Sequence, residues 1–447
     1  MKFNKSSQLL LVSAASLLAA GLTTACSTNT VDFVYVASSQ AAGTNNYGEI
    51  DVFEINRVSG FMRQIPTSPF PSGGRDPVSE AVTGDYATLY VANKDDSNIV
   101  QFFIGPDGKI YPQNTYDTTG NYSATGTGSP TGIFPVAVAV NGPNLFVVNT
   151  YQPLPSCVPT DPCSGSLGVY PIQPATKGSN PTPSGALGSP VANLSNGANY
   201  WPLTLPGKPN DVIVPTAVNV LKSGAYVYVA AYDTTASPSV GYVFGFWVAP
   251  SGATTSPNGV TCPPLPAGLT AYPTGTLCSL TGSPFAAGAH PSAIASDSTS
   301  SYFYVTDSPN GKIFGYSVAS GAPVALPGSP YPAGNQPSAI AVDPKYPFAY
   351  VANALDGNVS AYSIGSNGAL SSVGTYAAGI DPVAIAVDPG TEHFVFTANF
   401  LANGASGTVS NFEMNTTAGT LVNTQHSPYT TNALPTAVAA VPHNVTP

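Results

Sequence analysis

Apolar residues in this chain come in short runs that alternate with a period of two and are separated by polar turns. The run Pro337-Ser338-Ala339-Ile340-Ala341-Val342 is followed by Phe348 to Asn353, which ends in Tyr350-Val351-Ala352-Asn353. Val359 to Ile364 alternates as a third segment and Leu370 to Tyr376 as a fourth. Asp343-Pro344 and Leu355-Asp356-Gly357-Asn358 lie between these runs and carry turn chemistry, because Pro presets φ while Asn and Gly accept positive φ. Runs of this length and period predict strands rather than helices.

The same phrase recurs along the chain. Copies begin at Pro77, Pro135, Pro215, Pro291, Pro337, Pro382 and Pro435. The first unit starts mid-repeat at Phe33-Val34-Tyr35-Val36-Ala37-Ser38, with no proline phrase ahead of it. The last copy, Pro435-Thr436-Ala437-Val438-Ala439-Ala440, has only a short tail behind it. One end lacks the strand that the other end has in surplus. Four strands in about 45 residues, repeated in this way, predict an all-β fold: a seven-bladed β-propeller with four-stranded antiparallel blades, its ring closed by a C-terminal strand joining the N-terminal blade. Closure removes the open strand edges that a linear array would leave. A second phrase, Ser-Pro followed by an aromatic or apolar residue (Ser68-Pro69-Phe70, Ser189-Pro190-Val191, Ser283-Pro284-Phe285, Ser329-Pro330-Tyr331, Ser427-Pro428-Tyr429), predicts outermost edge strands, where a missing N–H needs no partner.

Composition narrows the partners. Charged residues are 8% of the 447, against roughly 25% in average domains, and net charge is −10 with 12 Lys and Arg. Phosphate backbones need clustered cations, so nucleic-acid binding is excluded as an expectation and polyanionic ligands are disfavoured. Hydrophobic residues at 43% allow a sizeable core, and 44 Gly with 45 Pro fit many tight turns.

Residues 1–26 read as an export signal: Lys2 and Lys5, an apolar stretch from Gln8 to Leu22, then small residues up to Cys26. Leu22-Thr23-Thr24-Ala25-Cys26 resembles a bacterial lipobox, which implies lipidation at Cys26, although Thr23 stands where Leu is usual and ordinary cleavage also fits. Residues 27–32 are expected to form a short tether and 33–447 a single propeller, located in the periplasm or at the outer membrane or cell surface as a lipoprotein. Four further cysteines allow three connectivities. Local pairs, Cys157 with Cys163 and Cys262 with Cys278, are expected within insertions, doing little for the core. A zinc site is the alternative, though no His lies near either pair.

The Tyr90-Val91-Ala92-Asn93 and Tyr350-Val351-Ala352-Asn353 phrases resemble those of bacterial YVTN-type seven-bladed propellers, which overlap the lactonase-like superfamily that includes 6-phosphogluconolactonase and muconate cycloisomerase. The resemblance spans residues 31–447. It implies the fold, and a ligand site at the channel mouth where the connections between blades and the second-to-third strand loops meet. Residues just before each repeat proline (Asp76, Phe134, Val214, His290, Gln336, Asp381, Leu434) are expected there. The ends of the second strands, including Asn93, Asn149, Asp307, Asn353 and Asn399, belong to the same rim, with Arg75 beside it. These Asn and Asp residues equally suit strand-end and turn hydrogen bonds. Long loops at Ser39–Gly48, Tyr151–Gly165, Asp233–Val240 and Phe400–Gly407 would crowd the mouth, with Tyr47, Tyr151 and Tyr232 as contact surface.

Glu80 is the main departure from the repeat, standing where other units have Val138, Val218, Ile294, Ile340, Ile385 and Val438. A carboxylate on an inner strand needs a partner or a proton; Arg75 or Lys94 is the expected partner, with a catalytic acid as the alternative. Glu80, His290 and Asp381 are thus the catalytic candidates. No nucleophile elbow, metalloprotease motif, phosphate loop or Cys-x-x-Cys occurs, so no cofactor is implied; Asp95, Asp96 and Asn98 offer only a weak calcium reading. The expectation is a monomeric binding or scaffold module that meets an envelope protein, a glycan or a small molecule, and touches the membrane only through the lipid anchor. The alternative is a lactonase-like hydrolase acting on an unphosphorylated lactone.

Overall fold

A computed structural model describes residues 30–40, 47–120, 130–174, 184–318, 321–390, 393–401 and 406–443. The export signal, Cys26 and parts of the first and last long loops lie outside these residues.

The strands assemble into seven separate antiparallel sheets arranged as blades. Blade six follows the sequence expectation within a residue or so: Pro337–Val342, Phe348–Asn353, Asn358–Ile364 and Leu370–Ala377, paired in that order. The C-terminal strand Leu434–Pro442 pairs antiparallel with Thr30–Ser39 and becomes the innermost strand of blade one. The ring therefore closes by the predicted displaced strand. That first strand begins at Thr30, so Thr30 to Asp32 belong to the blade and not to the expected tether. Each innermost strand packs against the next around the full circle, and apolar clusters fill the gaps between blades, such as Phe33, Tyr35, Leu89 and Val91 between blades one and two.

Repeat residues perform definite tasks at these gaps. The phrase tyrosine is buried and donates its hydroxyl to a backbone carbonyl in the next blade: Tyr35 to Gly108 at 2.9 Å, Tyr304 to Gly368 at 2.7 Å, Tyr350 to Gly419 at 3.2 Å. The accepting glycines have φ of +78°, +81° and +72° in the third-to-fourth strand turns, a conformation that suits Gly. Blade seven carries Phe396 instead. There Asn411, opposite Phe396 on the neighbouring strand, donates to Gly60 O of blade one at 2.7 Å. Nearer the channel, the hydroxyl after the repeat proline bonds the next proline's carbonyl: Ser292 to Pro337, Ser338 to Pro382 and, across the closing seam, Thr436 to Pro77.

The Ser-Pro phrase does not lie on an unbroken edge strand, as expected, but at a break in it. The fourth strand of blade one splits into Met62–Gln64 and Phe70–Arg75, and Ser68 Oγ accepts the freed Val52 N–H at 2.8 Å. Ser283, Ser329 and Ser427 do the same for Gly245, Gly315 and Asn411. A buried N–H must find an acceptor, and serine supplies one where the strand cannot.

Both local disulfides are formed, Cys157–Cys163 and Cys262–Cys278. The second corrects the sequence reading: Cys278 lies in the strand Leu277–Leu280 and joins Trp247, Tyr272 and Phe303 in the core between blades four and five. It ties the insertion to the sheet.

Candidate functional site

The residue before the repeat proline adopts left-handed φ at Asp76 (+53°), Phe134 (+57°), Gln336 (+52°) and Asp381 (+54°). A register shift follows at the first strand in each of these blades, for example between Pro77 and Ser79 and between Pro337 and Ala339. Such φ values are uncommon outside Gly. They recur here with three different side-chain types, so the bulge belongs to the scaffold. It turns the preceding residue out at the end of the channel and leaves its side chain free to vary.

Read around the ring, the mouth has a polar arc and an apolar one. Blades five, six and seven contribute His290, Gln336 and Asp381 in succession; blade two adds Asp76, and Phe134 and Val214 of blades three and four are apolar. His290 is half-buried, with its ring centroid 3.8 Å from that of Tyr232 and its backbone N–H donating to Asp307 Oδ1 at 2.8 Å. Burial pushes the imidazole pKa below its ordinary value, against a smaller upward pull from its own backbone and from Asp307. Burial likewise raises the Asp381 carboxyl. Gln336 is exposed. Asp76 accepts a hydrogen bond from Ser39 Oγ at 2.7 Å. Phe134 meets Tyr151 edge to face at 6.0 Å.

Other expected rim residues are not open to a ligand. Asn93, Asn149, Asp307, Asn353 and Asn399 are fully buried. Asn93 Nδ2 donates to Asn98 at 2.8 Å and Asn353 Nδ2 to Asn358 at 2.7 Å, closing the hairpins. Asn353 Oδ1 also accepts from Gly334 N, in the chain entering the same blade. Asn149 bonds Thr131 O, Asn399 bonds Thr408 and Ser410, and Asp307 receives Ala289, His290 and Asn310. They shape the mouth from beneath. Arg75 is exposed and forks onto Asp96 at 2.5–2.7 Å.

That ion pair corrects the expectation for Glu80. Neither Arg75 nor Lys94 reaches it: both carboxyl oxygens are shut off from solvent, with no hydrogen-bond partner among the described residues. Glu80 sits on the innermost strand of blade two, near Tyr35 of blade one and the Ala439 backbone. Burial raises its pKa well above the ordinary carboxyl value, against a smaller downward pull from the nearby Ala439 backbone, which makes no hydrogen bond to it. Burial thus favours the acid form of Glu80, which is walled into the blade one–two seam and takes no part in the mouth. His393 lies at the opposite end of the molecule against Tyr346, with ring centroids 4.9 Å apart. Among the described residues no three His, Cys, Asp or Glu are grouped to hold a metal ion.

Sequence reasoning missed one constraint on the loops. The four blades with long second-to-third loops carry, within a residue of the start of the third strand, a glycine that lies against the next repeat proline. A Cβ on Gly48, Gly165, Gly241 or Gly407 would lie 2.2–2.5 Å from Cδ of Pro77, Pro215, Pro291 or Pro435. In blades two, five and six, with tight hairpins, the matching positions are Ser97, Gly311 and Gly357, and a Cβ on Gly311 or Gly357 would meet the carbonyl of Gly334 or Gly379 rather than a proline. The glycines were visible in the sequence, but their contact is between blades.

Comparisons with known proteins agree with this architecture. Residues 323–439 match the family described as lactonase, 7-bladed beta-propeller, a span that includes Gln336 and Asp381. No curated protein matches the chain. Among solved structures, a proposed 6-phosphogluconolactonase from Bacteroides fragilis is 17% identical with a TM-score of 0.62, covering 93% of this chain and 99% of that one. A second, from Bacteroides uniformis, is 16% identical with a TM-score of 0.60, covering 93% and 100%. The periplasmic gluconolactonase of Pseudomonas aeruginosa is 18% identical with a TM-score of 0.58, covering 92% and 99%. The chain is a seven-bladed β-propeller with the lactonase-like fold, and its segment 323–439 carries the sequence pattern of the lactonase propeller family.

Proposed function

We propose that this protein is a hydrolase of an unphosphorylated lactone, with its active site at the channel mouth. The observation that carries the reading is the succession of His290, Gln336 and Asp381 on three adjacent blades, two of them within the lactonase-matching segment. Lactone opening requires a base for water, a donor for the carbonyl oxygen and a proton for the departing ring oxygen. His290, whose burial favours the neutral imidazole, takes a proton from water as its oxygen attacks the carbonyl carbon. The exposed Gln336 amide donates to the carbonyl oxygen as negative charge develops there. The carbon–oxygen ring bond then breaks, and the ring oxygen is protonated by Asp381, whose burial favours the acid form. The product is the open hydroxy acid. The scarcity of cations and the engagement of Arg75 by Asp96 support a substrate without phosphate.

The test is hydrolysis of a panel of unphosphorylated and phosphorylated sugar lactones by the wild-type protein and by the His290→Ala/Asp381→Ala double variant. Acceleration confined to unphosphorylated lactones and abolished in the double variant is expected. Activity that survives the double change sinks the site assignment.

A second reading, a lipid-anchored binding module at the cell envelope, draws on the exposed Leu355, Ile380 and Leu401 around the same face and on the lipobox-like sequence at Cys26. It predicts partner capture without turnover, and a lipid adduct in the intact mass of the membrane fraction.

A further inference from the structure

The end of the propeller opposite the polar arc carries a second site. A cavity of about 620 Å³ opens between blades five and six, among the first-to-second strand turns of those blades. A second, of about 330 Å³, lies at the lower end of the central channel and shares Asp297, Ser298 and Val342 with the first. The two adjoin at these shared residues and are treated as one groove from the cleft to the channel end. The larger volume falls within the range of small-molecule pockets.

The lining chemistry is specific. Tyr302 and Tyr346 line the cleft, and both side chains are held in place. The Tyr302 hydroxyl donates to Ser366 O at 3.0 Å, while Tyr346 packs edge to face on His393, with its hydroxyl 3.4 Å from Nε2. Asp297 is spent on its own turn, accepting from Ser301, Tyr302 and Thr299. Asp343 uses one oxygen to accept the Lys345 and Tyr346 amides. Lys345, in the cleft, and Lys222, at the channel end, are exposed and form no ion pair among the described residues. Arg75, Lys109 and Lys208, by contrast, are each paired with an Asp. Fixed tyrosine rings among hydroxyls, with one lysine free of ion pairs lining each cavity, match a chain of sugar rings that bears carboxylates. The rings stack on tyrosine, which is apolar in its body and polar at its tip. A polyphosphate would need more cations than two.

We infer that this groove binds a short acidic oligosaccharide, a chain of uronate-type sugars, with rings on Tyr302 and Tyr346 and carboxylates at Lys345 and Lys222. The site is separate from the channel mouth and stands whether or not lactones are hydrolysed there.

The experiment is calorimetric titration of the full-length protein with an oligogalacturonate hexamer and with maltohexaose as its neutral counterpart. Saturable binding of the acidic hexamer is expected, with the neutral one weaker. Tyr346→Ala should weaken acidic binding by about tenfold, the scale of one stacking contact. Tyr346→Phe, which keeps the ring, should preserve it and controls for folding. Lys345→Met should lower acidic binding to the neutral level, and His290→Ala should change nothing. The inference is overturned if neither hexamer binds, if the two bind equally in the wild type, or if acidic binding is unchanged in both Tyr346→Ala and Lys345→Met.

Discussion

Glu80 stands where six other units place Val or Ile, and its surroundings supply neither a cation nor a full set of donors. A buried acid in that position stays neutral by keeping its proton. Its folded pKa lies above its unfolded value, so the folded state holds a proton that the unfolded state releases. Stability from this group is complete below the unfolded pKa near 4.5 and is lost as pH rises toward the raised folded value. Asp51 follows the same sign. Burial, and then the charge of Glu49, push it up to about 7. Replacing Glu80 by Ile, the repeat residue, should therefore raise unfolding free energy by about 1–3 kcal/mol near neutral pH, and by less near pH 4. Urea unfolding at the two pH values checks this, and an equal gain at both would contradict the assignment of a protonated acid. That Glu80 is anomalous was legible in the sequence, because the repeat supplies its own reference at that position. Its lack of a partner was not: Arg75 is near in sequence, but its guanidinium is turned outward to Asp96.

At the scale of the strand and the turn, single residues carry the contacts between blades. Tyr350→Phe removes one buried hydroxyl bond to Gly419 and should cost about 1 kcal/mol. Ser329→Ala leaves the Gly315 N–H without its acceptor and should cost about 1–3 kcal/mol. Gly241→Ala drives a Cβ to within 2.3 Å of Pro291 Cδ, an overpacked contact that should cost about 1–3 kcal/mol. The same change at Gly252, where a Cβ meets nothing within 4 Å but φ is +75°, separates strain of the backbone from crowding. Shifts in thermal unfolding midpoint check all four. Strand positions in blade six were readable to within a residue because alternation and turn chemistry agree there. The Ser-Pro break was misread as an edge because the pairing it replaces runs to another strand, about fifteen residues away in blade one. Asn93 and Asn353 were readable as strand ends, but their complete burial follows from the entering segment that covers them.

At the scale of the molecule, the ring depends on one strand crossing the chain ends. Leu434–Pro442 pairs along Thr30–Ser39, and Thr436 continues the proline-to-proline hydroxyl bonds across the seam. Ending the chain at residue 433 should leave blade one with a bare inner edge and abolish cooperative unfolding, and a separately added peptide of residues 434–443 should restore part of it. A truncated chain as stable as the full one would contradict closure by this strand. The fold was legible because seven copies of one phrase leave few alternatives. The site was only partly legible: the repeat located the mouth and its variable positions, yet the groove beside Tyr302 and Tyr346 is built from turns that each look ordinary alone. The function proposed for the mouth rests on His290 as a neutral base. The most direct test is the pH dependence of kcat/KM for an unphosphorylated sugar lactone, corrected for spontaneous opening, in the wild type and in His290→Ala. The account predicts an acid limb with its midpoint below 6.5, the ordinary imidazole value, and a fall in rate of about 100-fold or more with loss of that limb in the variant; no acceleration over buffer, or an acid limb unchanged by His290→Ala, would contradict it.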